Sequence, residues 1–433
     1  GTDGVRGKAG SELTEEMVKT LGICAAPYLG SDQVVIGRDT RESSPSFEKA
    51  LAQGFSEGGV EPFLLGVAPT PAVAHLAATK KIAGAMVSAS HNPWWDNGIK
   101  LFTSGGHKLD DVTQQQIETN WHKNLSTNIA RAESFTSLSI DSWTNSVMNS
   151  TTSEIFDGIK IVLDCANGAN YKIAPTVFSE LGANVIKIGC SPNGKNINKD
   201  CGSTNTEYLS ESVLKHGADL GIAFDGDGDR LAMVDKEGSI LDGDDLIYLF
   251  FQKEKNIKKF QNRNGVIGTH MTNMSLELFF KKNNIDFFRA DIGDKYVHQE
   301  LENRGWTLGG ESSGHLMFLD DVSSGDALVA SLKILDSIQD ERFNIKKLMD
   351  SHYKFPQELV NLKVKDPNLC LLSQNFMDSA KKNETKLNAL GRILIRPSGT
   401  EPVLRIMVEG EQRDLVDKVI KDMINSVKEL GLG

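Results

Sequence analysis

The sequence predicts an α/β protein of four domains around a central cleft. Three are similar mixed α/β units built strand-helix-strand-helix-strand, and a smaller α+β unit closes the chain. Three observations carry this expectation. Apolar strand-like runs alternate with helical patterns. The order strand, helix, strand, helix, strand recurs three times, each time ending in a glycine-, serine- or acid-rich loop, with no repeated sequence. A length of 433 residues exceeds what one ordinary core organises and points to about two to four domains.

The first unit, residues 1–150, opens with "GTDGVRG" and the strand "VVIGRD" at Val34. In "SSPSFEKALAQGF", Ser44 is the expected N-cap and Pro45 the first helical residue. The strand "VEPFLLG", the helix "TPAVAHLAATKK" and the strand "AGAMVSAS" follow. A Ser/Thr/Asn-rich region around Leu125 to Phe156 separates this unit from the second, residues 151–248, with "KIVLDCANGAN", "NVIKIG" and "ADLGIAFDGDGDR". The stretch "FQKEKNIKKFQNRNG" leads into the third, residues 249–356, which runs from "GVIGTHMTNMSLELFFKK" through "IDFFRADIGDKYVHQELENRG" to "WTLGGESSGH". The fourth, residues 357–433, differs: "ELVNLKVK", "GRILIRPSGTEP" and "VLRIMVEG" read as strands and "QRDLVDKVIKDMINSVKEL" as a closing helix. Ligands of open α/β sheets sit beyond the carboxyl ends of strands, so the four loops there are expected to share one cleft.

With 39% hydrophobic and 24% charged residues, the composition is that of an ordinary soluble globular protein. The longest apolar stretch, "FLLGVAPTPAVAHLAA", is broken by Gly66, Pro69 and Pro71, so no membrane span is expected. A net charge of −11 argues against nucleic acid as the main partner and requires that any anionic substrate be held by local cationic spots. The cysteines Cys24, Cys165, Cys190, Cys201 and Cys370 form no CxxC pair and read as reduced thiols. With no targeting leader visible, a cytoplasmic protein is expected.

The loops carry the chemistry. "DGDGDR" sets Asp225, Asp227 and Asp229 at alternate positions after an apolar strand. Carboxylates brought so close repel by about 4 kcal/mol per pair at an effective dielectric near 20, so a cation or protonation must compensate. An oxygen-only set suits Mg²⁺. A calcium EF-hand fails, since Arg230 and Lys236 stand where that loop needs glycine and glutamate, and a solvated acidic turn is the plain alternative. "RPSGTEP" sets Arg396, Ser398, Gly399 and Thr400 between two strands, with Arg405 on the second, a set suited to phosphate unless it is an ordinary Pro/Gly turn. "GGESSGH" offers Glu311, Ser313 and His315 to hydroxyls or an amine, or is simply a polar turn. "GCSPNGKN" nearly matches a nucleotide phosphate loop, but Asn196 replaces the required hydroxyl residue and the polar "NINKDCGSTN" is no helix, so a triphosphate site is rejected.

"SASHNPWWDNGIK" displays Ser90 and His91 after a strand, and the turn signals Asn92-Pro93 and Asp96-Asn97-Gly98 bring "IKLF" back as a strand that aims Lys100 at the same place. Neither a GxSxG elbow nor a base–acid pair marks Ser90 as a hydrolase nucleophile. Beside a metal loop and cationic side chains, it is suited to carrying a phosphoryl group.

Taken together, "GTDGVRG", "SASHNPWWDNGIK", "DCANGAN", "AFDGDGDR", "GGESSGH" and "RPSGTEPVLRIMVEG", in that order over essentially the whole chain, resemble the α-D-phosphohexomutase superfamily, most closely its bacterial glucosamine-phosphate branch. The resemblance implies a phosphorylated Ser90 and one Mg²⁺ held by Ser90, Asp225, Asp227 and Asp229. Arg6, His91, Lys100 and Arg230 are then expected around the phosphoserine, with Lys100 as the proton-transfer group. Glu311, Ser313 and His315 belong to the sugar loop, and Arg396, Ser398, Gly399, Thr400 and Arg405 to the anchor of the non-reacting phosphate. The implied reaction is reversible conversion of glucosamine 6-phosphate to glucosamine 1-phosphate on the route to UDP-N-acetylglucosamine, primed by glucosamine 1,6-bisphosphate or glucose 1,6-bisphosphate. A glucose/mannose phosphate mutase is the close alternative and a phosphosugar sensor without turnover the remote one. A homodimer is compatible with the resemblance. Two departures stand out: Trp94-Trp95, where smaller aromatics are usual, and Ser312, where glutamine or asparagine is commoner among glucosamine mutases.

Overall fold

The computed structural model describes residues 4–123, 134–151, 155–261, 264–398 and 402–430, and among them four sheets follow one another along the chain. The first has six strands, in spatial order Val5–Lys8, Asp96–Phe102, Ala83–Val87, Gln33–Arg38, Glu61–Val67 and Thr136–Ser137. Its central strands are parallel, and one hydrophobic cluster packs on each face of the sheet. Burial on both faces explains why these runs are continuously apolar instead of alternating.

The second sheet has five strands in the order Ile240–Leu241, Leu231–Asp235, Leu220–Phe224, Lys160–Asp164 and Asn184–Ile188. The third has four, in the order Phe287–Ala290, Val266–Thr269, Leu308–Gly310 and Leu316–Phe318. A single core runs through both, from Ile161 and Leu220 to Val266 and the helix Ala327–Ile338. The helix Glu254–Gln261, within the charged stretch expected to lead into the third unit, belongs to this packing through buried Phe260. The fourth sheet is antiparallel, in the order Gln357–Lys363, Val403–Gly410 and Gly391–Pro397, and carries the amphipathic helix Arg413–Glu429. Two helices not foreseen in this unit, Pro367–Leu372 and Gln374–Lys386, are N-capped by Asp366 and Ser373.

Two local expectations are corrected. The second helix spans Ser44–Glu57 with Ser43 at the N-cap; Ser44 donates instead to Asp39 Oδ1 at 2.6 Å, a stronger partner than the helix amides. Asp96, Asn97 and Gly98 do not turn. They are strand, pairing with Lys8, Gly7 and Arg6, and the reversal falls earlier, where Asn92 N–H reaches Ala89 O and Asp96 N–H reaches Pro93 O. The N-terminal strand, distant in sequence, overrides the local turn signal. The Ser/Thr/Asn-rich stretch after residue 133 adds the edge strand Thr136–Ser137 to the first sheet, then forms the helix Asp141–Met148.

That helix buries Trp143 completely, and its Nε1–H donates to Asp326 Oδ2 at 2.8 Å, tying the segment to the start of helix Ala327–Ile338. Trp143→Ala therefore opens a cavity and strips a buried carboxylate of a donor. A loss of about 3–5 kcal/mol in denaturant unfolding followed by circular dichroism is expected; a loss under about 1 kcal/mol would show the segment to be loosely attached.

Candidate active site

Ser90 lies three residues beyond the strand Ala83–Val87, in a loop, buried, with φ of +50°. A non-glycine residue in the left-handed region is held there at a cost, typically about 1–3 kcal/mol. The restraint is visible. Arg41, itself buried, donates to the carbonyls of Ser90 and Asn92 at 2.8 Å each and of Asp96 at 3.0 Å, and also to Pro93 O. Its Nε is fixed by Asp39 Oδ2 at 2.8 Å, and Asp39 also accepts from Ser88 Oγ at 2.6 Å. Asn198 adds a second donor to Ser90 O at 2.8 Å, so the loop rejected as a triphosphate site buttresses the serine. Segment 193–206 contains no helix, as expected.

Ser90 Oγ donates to Asp225 Oδ2 at 2.6 Å. Gly226 lies against the serine loop, since a Cβ there would sit 2.6 Å from Ser90 O, so only glycine allows the acidic turn to approach. Carboxylate oxygens of Asp225, Asp227 and Asp229 lie within 4.8 Å of one another, all buried. Lys100 Nζ bridges Asp227 Oδ2 at 2.8 Å and Asp229 Oδ2 at 3.0 Å, and Thr70 Oγ1 donates to Asp227 Oδ2 at 2.6 Å. Burial, then Asp229 and Asp227, push Asp225 well above the usual carboxylate range. Burial and Asp229 also act to raise Asp227, but Lys100 and Thr70 outweigh them and hold it low. Burial would raise Asp229 too, yet Lys100, His315 and Arg230 keep it well below the usual range. Asp227 Oδ1 and Asp229 Oδ1 are buried with no hydrogen-bond partner. Orphaned anionic oxygens converging without a nitrogen or sulfur donor fit a hard divalent cation.

A cleft of about 550 Å³ opens over this floor, lined among others by Arg6, Ser90, Asp229, Arg230, Glu311, Ser313 and His315. The acidic loop and the sugar-loop candidate are joined: Arg230 forms a β-bridge with His315, and Leu231 N–H donates to Gly314 O at 3.0 Å. Glu311 Oε1 accepts from Gly293 N–H at 2.9 Å, while burial raises its carboxyl above the usual range. His91 is pushed down to about 4 by burial, with Arg230 and Arg6 adding to the effect, so its imidazole is neutral at pH 7.

No described residue of the fourth unit lines this cleft. Arg396 and Arg405 face each other across its hairpin, and burial together with Arg405 lowers Arg396 from the usual arginine range. Ser398 Oγ and Arg405 Nε are buried without partners. Two guanidiniums opposed beside an unpartnered hydroxyl fit an anion. Gly399 and Thr400, like Gly1 to Asp3 of "GTDGVRG", lie outside the described residues. The unit is clamped to the third by Arg392, which donates to His270 O and Thr272 O at 2.7 Å each and pairs with buried Glu409 at 2.6 Å; Glu409 in turn takes Met274 N–H at 2.8 Å.

Asp39, Arg41, Thr70 and Asn198 were missed from the sequence. "GRDTR" and "APTP" both follow parallel strands, so the end-of-strand rule that found the other loops could have found Asp39, Arg41 and Thr70. Asn198 carries no comparable signal, because its amide acts on backbone carbonyls 106 and 108 residues away.

A serine hydroxyl against orphaned carboxylates, with a lysine between them and arginines at the rim, defines a class of enzyme that handles phosphoryl groups. Models of the phosphoglucomutase/phosphomannomutase family match in sequence: alpha/beta/alpha domain I over residues 1–128, domain II over 140–238, domain III over 242–355 and the C-terminal domain over 359–426. The chain belongs to this family and is an isomerase. It is 42% identical to the phosphoglucosamine mutase of Photorhabdus laumondii over 440 residues, which cover all of this chain and 98% of the relative. Among solved structures, a phosphoglucomutase/phosphomannomutase family protein from Burkholderia thailandensis superposes with a TM-score of 0.83 at 22% identity, covering 99% of this chain and 97% of the other. Aspergillus fumigatus N-acetylphosphoglucosamine mutase, in complex with GlcNAc-6P and magnesium, superposes with a TM-score of 0.73 at 16% identity, covering 99% and 95%.

Arg41 touches nothing in the cleft and acts by fixing the serine loop. Arg41→Met is expected to lower mutase kcat by about 10²-fold with a small change in KM, the cost of misplacing a reacting group by about 1 Å. Arg41→Lys, which keeps the charge but lacks the planar fork, should fall between the two. Wild-type kcat in Arg41→Met would show that the loop holds itself.

Proposed function

We propose that the chain interconverts glucosamine 6-phosphate and glucosamine 1-phosphate, with Ser90 as phosphoryl carrier and glucosamine 1,6-bisphosphate as intermediate, on the route to UDP-N-acetylglucosamine. The observation that carries the reading is the 2.6 Å contact from Ser90 Oγ to Asp225 Oδ2 at the floor of the cleft, beside carboxylate oxygens left without partners. Similarity to phosphoglucosamine mutases over the full chain supports the choice of sugar.

Asp225, Asp227 and Asp229, together with an oxygen of phosphorylated Ser90, would hold Mg²⁺, which when bound supplies positive charge to the transferring phosphoryl group. The residues do the rest. Arg6, Arg230 and neutral His91 position the phosphoserine for in-line attack. Lys100, free to lose its proton once the bound cation meets the charge of the aspartates, takes the proton of the sugar C1 hydroxyl as its oxygen bonds to phosphorus, and gives it to Ser90 Oγ as the bond from phosphorus to that oxygen breaks. Glu311, Ser313 and His315 orient the sugar through its hydroxyls and amine. The bisphosphate turns by about half a turn, its 6-phosphoryl returns to Ser90 as Lys100 takes the serine proton, and Lys100 gives that proton to the freed O6. Arg396, Ser398, Gly399, Thr400 and Arg405 anchor whichever phosphate is not reacting.

A coupled assay with Mg²⁺ and the matching 1,6-bisphosphate tests the reading on glucosamine 6-phosphate, glucose 1-phosphate and mannose 1-phosphate. A glucosamine preference is expected, with activity reduced by more than about 10³-fold in Ser90→Ala. Chelation should abolish turnover and added Mg²⁺ restore it. A glucose or mannose preference would move the substrate and keep the chemistry; unchanged turnover in Ser90→Ala would remove the phosphoserine.

No described residue of the anchor hairpin lines the cleft, and the fourth unit is expected to close over bound sugar, excluding water that would hydrolyse the phosphoserine. Solution scattering should report a smaller radius of gyration with bisphosphate bound. Identical profiles would count against closure.

A further inference from the structure

The first and third units meet across a cavity of about 350 Å³ that reaches Asp229 at its inner end and that the reaction does not use at its outer end. His107, in the loop following strand Asp96–Phe102, points its Nδ1 at Nε2 of His298, on helix Asp294–Arg304, 3.2 Å away. The carbonyl oxygen of Ser323 lies 3.3 Å from that same Nε2. Glu302, one turn along the helix, presents Oε1 at 3.8 Å from His107 Nδ1 and Oε2 at 3.6 Å from His298 Nδ1. Ser323 Oγ is buried and has no hydrogen-bond partner.

With His298 neutral, hydrogen bonding does not satisfy this group. A proton on His298 Nε2 is shared between Ser323 O and His107 Nδ1. A proton on His107 Nδ1 instead leaves the Nε2 lone pair facing a carbonyl oxygen. A cation between the two ring nitrogens and the carbonyl oxygen removes this conflict. Ligands bound at about 2.0–2.1 Å in a tetrahedral zinc site lie about 3.3–3.4 Å apart, close to both separations seen here. One Glu302 oxygen, 3.8 Å from His107 Nδ1, then completes the set. Burial lowers the His298 pKa, favouring the neutral ring that binds metal.

We propose that His107, His298 and Glu302, with the Ser323 carbonyl, form a second metal site that takes a borderline transition metal of the zinc class. It is chemically distinct from the oxygen-only Asp225, Asp227 and Asp229 cluster, because imidazole ligands favour zinc-class ions and carboxylates alone favour magnesium. Its ligands come from two units, so the bound ion cross-links a seam that also carries the ion pairs of Lys108 with Asp294 and of Lys295 with Asp111.

The test uses the full chain with saturating Mg²⁺ to occupy the acidic cluster, and zinc chloride titrated against a chromophoric chelator. One Zn²⁺ per chain is expected, with affinity reduced at least about 10–100-fold in His107→Gln and His298→Gln. Mutase activity in Mg²⁺ should be retained by both variants. No uptake by the wild type, or equal uptake by the variants, overturns the proposal. If a variant fails to fold, zinc X-ray absorption on the Mg²⁺-saturated wild type decides: two imidazoles in the shell support the site, and an oxygen-only shell overturns it.

Discussion

Three buried carboxylates brought within 4.8 Å of one another impose the condition that the surrounding structure answers. They are buried, so much of their charge has to be met from within, by Lys100 reaching in from the first sheet and Arg230 at the end of the acidic loop itself. That demand fixes the relation of the first two units. Lys100 sits on a strand paired through Met86 with the strand that leads to Ser90, so the residue that neutralises the acids and the residue that meets Asp225 are carried by one hairpin.

A second buried pair works one layer below. Asp39 and Arg41 neutralise each other, and the remaining guanidinium donors are spent on backbone carbonyls of the serine loop. The left-handed turn at Ser90 is thereby held by charge-assisted bonds instead of by side-chain packing. Because the pair is satisfied on every side, its burial need not be costly, whereas removing one partner would leave the other charged and dry.

What was legible in the sequence follows from this division. Residues that present chemistry to the cleft sit in loops directly after apolar strands, where a strand end and a glycine-rich acidic or hydroxyl-bearing run are both local signals. Ser90, the three aspartates and the Glu311 to His315 loop were found that way. Residues that act on backbone carbonyls far along the chain leave little trace, and Asn198 lay inside a segment considered only for a different ligand. Asp96-Asn97-Gly98 reads as a turn because its partner strand lies some ninety residues earlier, out of reach of any window. The helices of the fourth unit leave a weak signal because their polar faces outweigh the few apolar positions, such as Phe376 and Cys370, that they bury.

The backbone bridge between Arg230 and His315 has a mechanical consequence. It makes the acidic turn and the Glu311 to His315 loop one continuous ribbon, and the core beneath them is shared between the second and third sheets. A ribbon anchored in one core has little compliance, so the chemical half of the molecule behaves as an anvil. Compliance is left to the far side, where the fourth unit meets the third through a small set of side-chain bonds centred on Arg392 and Glu409. Such a joint can pivot without disturbing the spacing of the groups that react.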